Sequence, residues 1–455
     1  MNVNAAPSIV EPADGLPNPQ RLLALLTVML GIVIAVLDGT IVNVALPTIA
    51  TEQHASPNDA IWIVTAYQLA VMVSLLPMAA LGESIGFKKV FLGGIAVFGL
   101  ASLLCAYSPS LLVLTLARIL QGVAGAALMS VNGALMRFIL PSQMFGRGLS
   151  QNAMVVAVSA AAGPTIAGAI LSVASWHWLF LINVPLAVIA VGVGRITLPA
   201  THTTGASLDK WSALLNAAAF GFLVSGLSSI GTTGTPLWLI VAQLAIALVA
   251  GIALVRRERR RPAPLFPVDL LRIPAFSLSV IASVSSFMAQ FLALVSLPFI
   301  FHHAMGFSDI DTGLLMTPWP LATAIIAPLS GYMTDRFNPG KVSGIGSLIL
   351  VLGFISLALL PEHPSVFDIT WRLAVCGFGF GLFQSPNNKV MLTSAPRQRS
   401  GGASGMLSTA RLLGQSIGAA IAAIMFGLLT SFNLPLMMAV AAAFAAIAMV
   451  LSVWR

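Results

Sequence analysis

The chain is 455 residues long, 58% hydrophobic and only 8% charged, with a net charge of +8. A soluble domain carries about 25% charged residues, so this composition excludes an ordinary soluble protein. A basic excess can serve nucleic acid, but the positions of these charges argue against that partner.

Residues 1–21 form a polar leader containing Pro7, Pro12, Pro17 and Pro19. No basic n-region, short apolar run and small-residue cleavage site follow one another there, so it does not read as a cleaved signal peptide. Apolar blocks of roughly 20 residues come next, each about the length an α-helix needs to cross a hydrocarbon core. They predict membrane helices 1 to 14 over 22–48, 59–82, 89–108, 110–136, 148–173, 177–198, 211–231, 236–255, 275–302, 309–333, 342–361, 368–391, 401–427 and 433–453. The expected fold class is an all-α polytopic membrane protein. Cys105 and Cys376 lie far apart inside apolar blocks, which indicates neither a disulfide framework nor a metal site. The glycine-rich runs lack a following Gly-Lys-Ser/Thr, so no nucleotide, metal or other cofactor is expected. A membrane enzyme would need clustered nucleophiles, metal ligands or paired acids, and the helices carry none at helical spacing.

Of the 22 lysines and arginines, all but Arg118, Arg372 and Arg411 belong to the leader, the loops after even-numbered helices, or the C-terminus. Lys and Arg concentrate on the cytoplasmic side, so both termini are expected in the cytoplasm of a cell with this protein in its inner (plasma) membrane. The run Arg256-Arg257-Glu258-Arg259-Arg260-Arg261 reads as an anchor on that side, or as a contact for anionic lipid headgroups. Membrane lipids are therefore expected partners and nucleic acid is not.

The chain repeats itself. Leu81-Gly82-Glu83-Ser84-Ile85-Gly86-Phe87-Lys88-Lys89 after helix 2 matches the stretch from Gly331 to Lys341 after helix 10, with Glu83 and Asp335 252 positions apart. Arg147 and Arg399 share that offset, while Arg118 and Arg372, and Pro47 and Pro298, repeat within two positions of it. Four anchors in one order imply two six-helix halves, 22–198 and 273–455, with two helices and a basic loop inserted over 199–272. Parallel halves are a transporter architecture, with the substrate site between them near the midplane.

Five motifs carry a resemblance over essentially the whole chain. They are Leu37-Asp38-Gly39-Thr40-Ile41-Val42-Asn43-Val44-Ala45-Leu46-Pro47 in helix 1, and the acidic-x-x-Gly-x-basic-basic pattern from Glu83 to Lys89. The others are Arg118-Ile119-Leu120-Gln121-Gly122 in helix 4, Gly163-Pro164 with Gly168 in helix 5, and the stretch from Trp176 to Pro185. Together they resemble the major facilitator superfamily, specifically its fourteen-helix drug:proton antiporters. The pattern departs at Glu83 (usually Asp), Ser84 (usually Arg) and Ala79, Ser159 and Ala167 (usually Gly). The resemblance implies a secondary transporter whose halves rock, and it makes helices 1 and 4 neighbours. A monomer is the expected functional unit.

Three ionisable residues sit well inside predicted helices: Asp38, Arg118 and Arg411. Charges at such depth are expensive and functional by default. Asp38 lies roughly 24 Å from the cytoplasmic start of helix 1 and Arg118 roughly 12 Å from the outer end of helix 4, compatible depths in a core of about 30 Å. Asp38 is the expected proton carrier and Arg118 its partner, because a buried carboxylate beside an arginine exchanges a proton when the arginine moves. The plainer reading is a static ion pair. The repeat places Ala289 or Gln290 opposite Asp38, so the second half has no equivalent acid. Arg411 would meet the anionic part of a substrate, or snorkel, or bond a backbone carbonyl.

Further candidates for a substrate cavity are Asn43, Gln121, Asn152, Gln290, Trp319, Gln384, Asn387, Asn388 and Gln415. Pro318-Trp319-Pro320 and Ser385-Pro386-Asn387-Asn388 are expected to break helices 10 and 12. Glu83 with Lys88 and Lys89, Asp335 with Arg336 and Lys341, and the turn and packing residues Gly86, Gly163 and Pro164 are the expected gating elements. The leading expectation is proton-coupled efflux of hydrophobic or amphipathic compounds by alternating access. The alternative is a metabolite exporter that selects an anionic or zwitterionic substrate through Arg411.

Overall fold

The computed structural model describes residues 14–54, 57–201, 203, 205, 209–230, 235–261, 264–361, 364–428 and 433–455. The expected leader thus lies outside the described residues as far as position 13. Among the described residues fourteen helices are long and apolar enough to cross a membrane, and there is no strand. They are α1 (Gln20–Glu52), α2 (Trp62–Ile85), α3 (Phe87–Ala106), α4 (Leu111–Ile139), α5 (Ser142–Leu171), α6 (His177–Thr197) and α7 (Lys210–Ile230). The rest are α8 (Leu237–Glu258), α9 (Pro274–His302), α10 (Asp311–Arg336), α11 (Pro339–Ala358), α12 (Val366–Ser394), α13 (Arg397–Phe426) and α14 (Leu434–Trp454).

Short polar signals start these helices. Ser110 accepts from Val113 N at 3.4 Å before α4, and Asn338 accepts from Gly340 N at 2.8 Å before α11. Ser365 and Asp368 form a capping box at α12. Each satisfies backbone donors that a helix start leaves unpaired.

The prolines behave differently from expectation. Pro47 does not end α1, which continues to Glu52, and Pro298 passes into a wider turn over Ile300–Ala304. The expected break at Ser385-Pro386 is absent, since the α12 helix runs unbroken from Val366 to Ser394. Pro386 removes the donor that would reach Leu382 O, and Ser330 Oγ of α10 donates to that carbonyl at 3.5 Å instead. In an apolar surrounding one lost bond costs less than unwinding a turn, provided a neighbour takes up the freed carbonyl. The break expected in α10 does occur, at Thr317, just before Pro318.

Helices α1–α6 and α9–α14 form two bundles with matching contacts. The pairs α2–α4, α3–α4, α1–α5 and α3–α6 in the first correspond to α10–α12, α11–α12, α9–α13 and α11–α14 in the second. The halves meet where α2 and α4 pack on α13, and α10 and α12 pack on α5. The inserted pair α7 and α8 pack on each other, and α7 lies against both α2 and α13. The ends of the helices that carry the loop lysines and arginines define one side, called here the basic side.

Candidate functional site

Asp38 and Arg118 are both buried, 1% and 0% exposed, and they form an ion pair between α1 and α4. Arg118 Nη1 donates to Asp38 Oδ2, while Oδ1 accepts from Gln121 Nε2 at 2.8 Å and Asn183 Nδ2 at 2.9 Å. Arg118 is fixed further by Nε donating to Ile63 O at 3.2 Å, by Nη1 donating to Gln121 Oε1 at 2.6 Å, and by the Tyr67 ring 4.2 Å below its guanidinium. Ser102 Oγ accepts from Gln121 Nε2 at 2.9 Å. Every hydrogen-bond partner shown for the Asp38 carboxylate is a donor, so the network favours its ionised form. Arg118 Nη2 is buried without a partner, which leaves the arginine an unused bond to spend in another position.

Beside this network lies a cavity of about 510 Å³ between the halves. Its wall includes Ala35, Gly39 and Thr40 of α1, Tyr67 and Gln68 of α2, Phe291 of α9 and Arg411 and Gln415 of α13. Tyr67 is shared, with its ring under Arg118 and its edge on the cavity. Val224, Leu227 and Ser228 of the inserted α7 close the flank between α2 and α13. A second, smaller space of about 40 Å³ adjoins it on the basic side.

Below these spaces the halves are tied together. Ser408 Oγ donates to Met129 O at 3.1 Å, Ser404 Oγ accepts from Gly133 N at 3.0 Å, and Arg137 donates to Leu392 O at 2.8 Å and Ala395 O at 2.9 Å. At the basic ends two acids cross the seam in mirrored fashion. Glu83 of α2 pairs with Arg399 and accepts from Gly402 N at 2.7 Å, at the start of α13. Asp335 of α10 accepts from Gly146 N at 2.8 Å and Arg147 N at 3.1 Å, at the start of α5. An acid at a helix N-terminus meets unpaired N–H groups and the positive end of the macrodipole.

The sequence profile described as Major Facilitator Superfamily matches residues 28–419 and 280–455. The chain belongs to the major facilitator superfamily. It is 55% identical over 91% of both chains to an uncharacterized transporter, YebQ, of Escherichia coli strain K12. It is 28% identical to the riboflavin transporter RibZ of Clostridioides difficile, over 91% of this chain and 90% of that one. It is 29% identical to the multidrug resistance protein Stp of Mycobacterium tuberculosis, over 89% of this chain and 75% of that one. The fold matches the human organic anion transporter MFSD10 with a TM-score of 0.70 at 15% identity, covering 96% of this chain and 100% of the other. The protein is therefore a multi-pass transporter of this superfamily and not an enzyme.

Its superfamily motifs occupy the sites just described, although not always with the expected partners. Glu83 reaches across to Arg399 rather than to Lys88 and Lys89. Lys88 Nζ donates to Arg195 O at 2.7 Å and Leu198 O at 2.8 Å at the end of α6, and Lys89 is exposed. Asp335 takes Lys389 Nζ at 2.9 Å, while Arg336 stacks on the Tyr332 ring at 4.6 Å. Lys88 thus bonds within its own bundle, whereas Arg399 reaches Glu83 across the seam; Lys389 belongs to the same bundle as Asp335, whose bonds across the seam come from Gly146 N and Arg147 N. Gly86, at φ 104°, makes the sharp turn between α2 and α3. Gly163 packs directly against Thr40, and Pro164 lies within an unbroken α5.

The expected cavity residues separate into groups. Arg411 and Gln415 line the wide cavity, and Asn152, Asn388 and Arg411 line the small one. Gln121 belongs to the Asp38 network instead. Asn387 bonds Ser279 O at 3.2 Å and Arg455, and Trp319 packs on Phe354 in the core of the second bundle. Asn43 is exposed, one turn beyond Gly39, with Nδ2 donating to Gly39 O at 3.2 Å. Gln290 and Gln384 line neither space. Contributors that escaped the sequence reading include Tyr67, Gln68 and Asn183, with Asn132 in the small space. All are polar groups within apolar helices, the signal that singled out the others.

Proposed function

We propose that this protein is a fourteen-helix drug:proton antiporter, exporting amphipathic or hydrophobic organic compounds as protons enter. The observation that carries this reading is the buried Asp38–Arg118 pair set behind a largely apolar cavity between two latched halves. The basic side is cytoplasmic by the distribution of lysine and arginine, so the conformation described is closed to the cytoplasm. A proton from outside takes Asp38 as Arg118 turns away, and Tyr67, packed under Arg118, moves the cavity wall with it. Release of the Glu83 and Asp335 latches then opens the cytoplasmic side, where substrate enters and the proton leaves. One acid deep within the helices of the first half, Asp38, and none at its repeat position argue for a small proton count per cycle. Relatives named for multidrug resistance and export support the substrate class, and a monomer contains every part of the cycle.

The test is proton-driven uptake of tetraphenylphosphonium and 1-naphthaleneacetate into everted vesicles holding the full chain. Gradient-dependent uptake of either probe that falls at least tenfold in Asp38→Asn, with facilitated counterflow retained, is the expected outcome. Full gradient-driven uptake in Asp38→Asn would overturn the carrier role. A second reading, export of an anionic metabolite, is favoured by Arg411, and its chemistry is developed next.

A further inference from the structure

Arg411 stands where two adjoining spaces meet. Both the wide cavity and the small one on its basic side include Arg411 in their walls, together with Val36, Met129 and Val156. The wide space is walled mainly by aliphatic and aromatic side chains, whereas Asn132, Asn152, Asn388, Ser404 and Ser408 surround the small one. No residue lining either space is acidic. Arg411 makes no ion pair among the described residues, and its Nε is buried without a hydrogen-bond partner. Asp38, the buried acid of the first bundle, is already committed to Arg118 behind the Tyr67 ring. An unpaired cation buried inside a membrane protein is strongly unfavourable, and its retention implies a partner that arrives from outside.

We infer that the transported compound carries one small anionic group, a carboxylate above all, which pairs with Arg411 in the small polar space while its apolar body fills the wide one. The proposal rests on the transport reading above and adds to it the charge of the substrate. The guanidinium fork matches two carboxylate oxygens in one plane, which a lysine does not. Asn132 Nδ2 donates to Asn152 Oδ1 at 3.2 Å, which leaves the Asn152 amide nitrogen to donate to the ligand. At about 40 Å³ the small space suits a carboxylate and excludes a bulky head. Exchange of such a monoanion for one proton moves two charges inward, both favoured by a negative interior.

The test is equilibrium binding, without a gradient, of three probes with the same ring system to the purified full-length protein in nanodiscs at about pH 7.5. The probes are 1-naphthaleneacetate, 1-naphthaleneacetamide and 1-naphthylmethylammonium. We expect the acetate to bind at least about tenfold more tightly than the amide, as a charged hydrogen-bonded pair would give, and the ammonium not at all. Arg411→Gln should bring the ratio of acetate to amide close to one, and Arg411→Lys should lower the ratio without abolishing it. Asn388→Leu, which fills the small space but keeps the cation, should weaken the acetate more than the amide. Equal binding of acetate and amide in the native protein, a preference for the ammonium, or an unchanged ratio in Arg411→Gln would overturn the inference. Because no gradient is present, anion-selective binding in a protein that fails the Asp38→Asn test would keep this inference and remove the carrier role of Asp38 alone.

Discussion

At the scale of single residues, the seam and the Asp38–Arg118 pair both depend on atoms that a conservative change would misplace. Arg118 uses Nε, Nη1 and its flat face at once, on Ile63 O, Asp38 and Tyr67. Lysine supplies the charge but neither the fork nor the plane. Arg118→Lys should therefore cut gradient-driven transport by about tenfold or more while leaving probe binding in place, a split that vesicle uptake and equilibrium binding read separately. Gly163 is equally constrained, because a Cβ there would lie 2.0 Å from Thr40 Oγ1. Gly163→Ala should cost about 1–3 kcal/mol of thermal stability through overpacking, partly restored by Thr40→Ala. Ala79, which stands where the superfamily usually has glycine, also has a packing explanation. Across the α2–α13 seam the close approach is provided by Gly401 and Gly405, whose Cβ positions fall 2.8 Å from Ala79 O and 2.6 Å from Ala79 Cβ. At the repeat-related α10–α5 seam the glycine is on the other side, at Gly331 against Ser150.

At the scale of elements, the inserted helix α7 has a position that its lack of a repeat counterpart did not foretell. Asn216 Nδ2 donates to Val73 O of α2 at 2.8 Å, and Phe220 packs with Met72, Leu76 and Leu265. So anchored, α7 covers the opening between α2 and α13 and presents Val224, Leu227 and Ser228 to the cavity. Leu227→Trp should weaken binding of bulky competitors more than that of 1-naphthaleneacetate, measured by displacement. If large and small ligands lose affinity equally, α7 does not shape the site. Asp209 ties the start of α7 to α8 through Arg257 and Arg261. The Arg257 hydrogen bonds, with help from Ser212, hold its carboxyl well below the usual carboxylate range. A depressed folded value stabilises above the unfolded value of about 3.9 and is lost as pH falls further. The tie should thus hold at neutral pH, with amide exchange at the start of α7 rising only in strong acid.

At the scale of the whole molecule, the two halves share a plan and divide the work. Ser159 stands where the offset of Arg411 falls in the first half, and Ala289 or Gln290 where that of Asp38 falls in the second. The acid is therefore confined to one bundle, behind the Tyr67 ring, and Arg411, which makes no ion pair among the described residues, faces the cavity from the other. On the basic side Glu83 and Asp335 are each bonded to the opposite bundle. Charge-assisted bonds contribute about 1.5–3 kcal/mol each. Glu83→Gln combined with Asp335→Asn should shift the population at least about tenfold toward opening on that side. Distances between spin labels on the basic ends of α5 and α13 would report it. An unchanged distance distribution would show that Arg137 and the seam packing suffice for closure.

How much of this was legible beforehand follows from what each feature depends on. Hydropathy and the placement of lysine and arginine are properties of position along the chain. They were enough for fourteen helices of an all-α membrane protein, while the superfamily came from the motifs it resembles. The offset of 252 disclosed the internal repeat for the same reason. Asp38 and Arg118 were visible because a charge in an apolar block stands out alone. Whether a charge is paired is decided by residues far away in sequence. Asn183 reaches Asp38 across 145 positions, and Arg399 reaches Glu83 across 316. Those meetings depend on helix rotation and crossing angle, which local patterns leave open. For the same reason only the packed bundles could join Gln121 to Asp38, carry α12 unbroken through Pro386, place α7 in the cavity wall and leave Arg411 without an ion pair among the described residues.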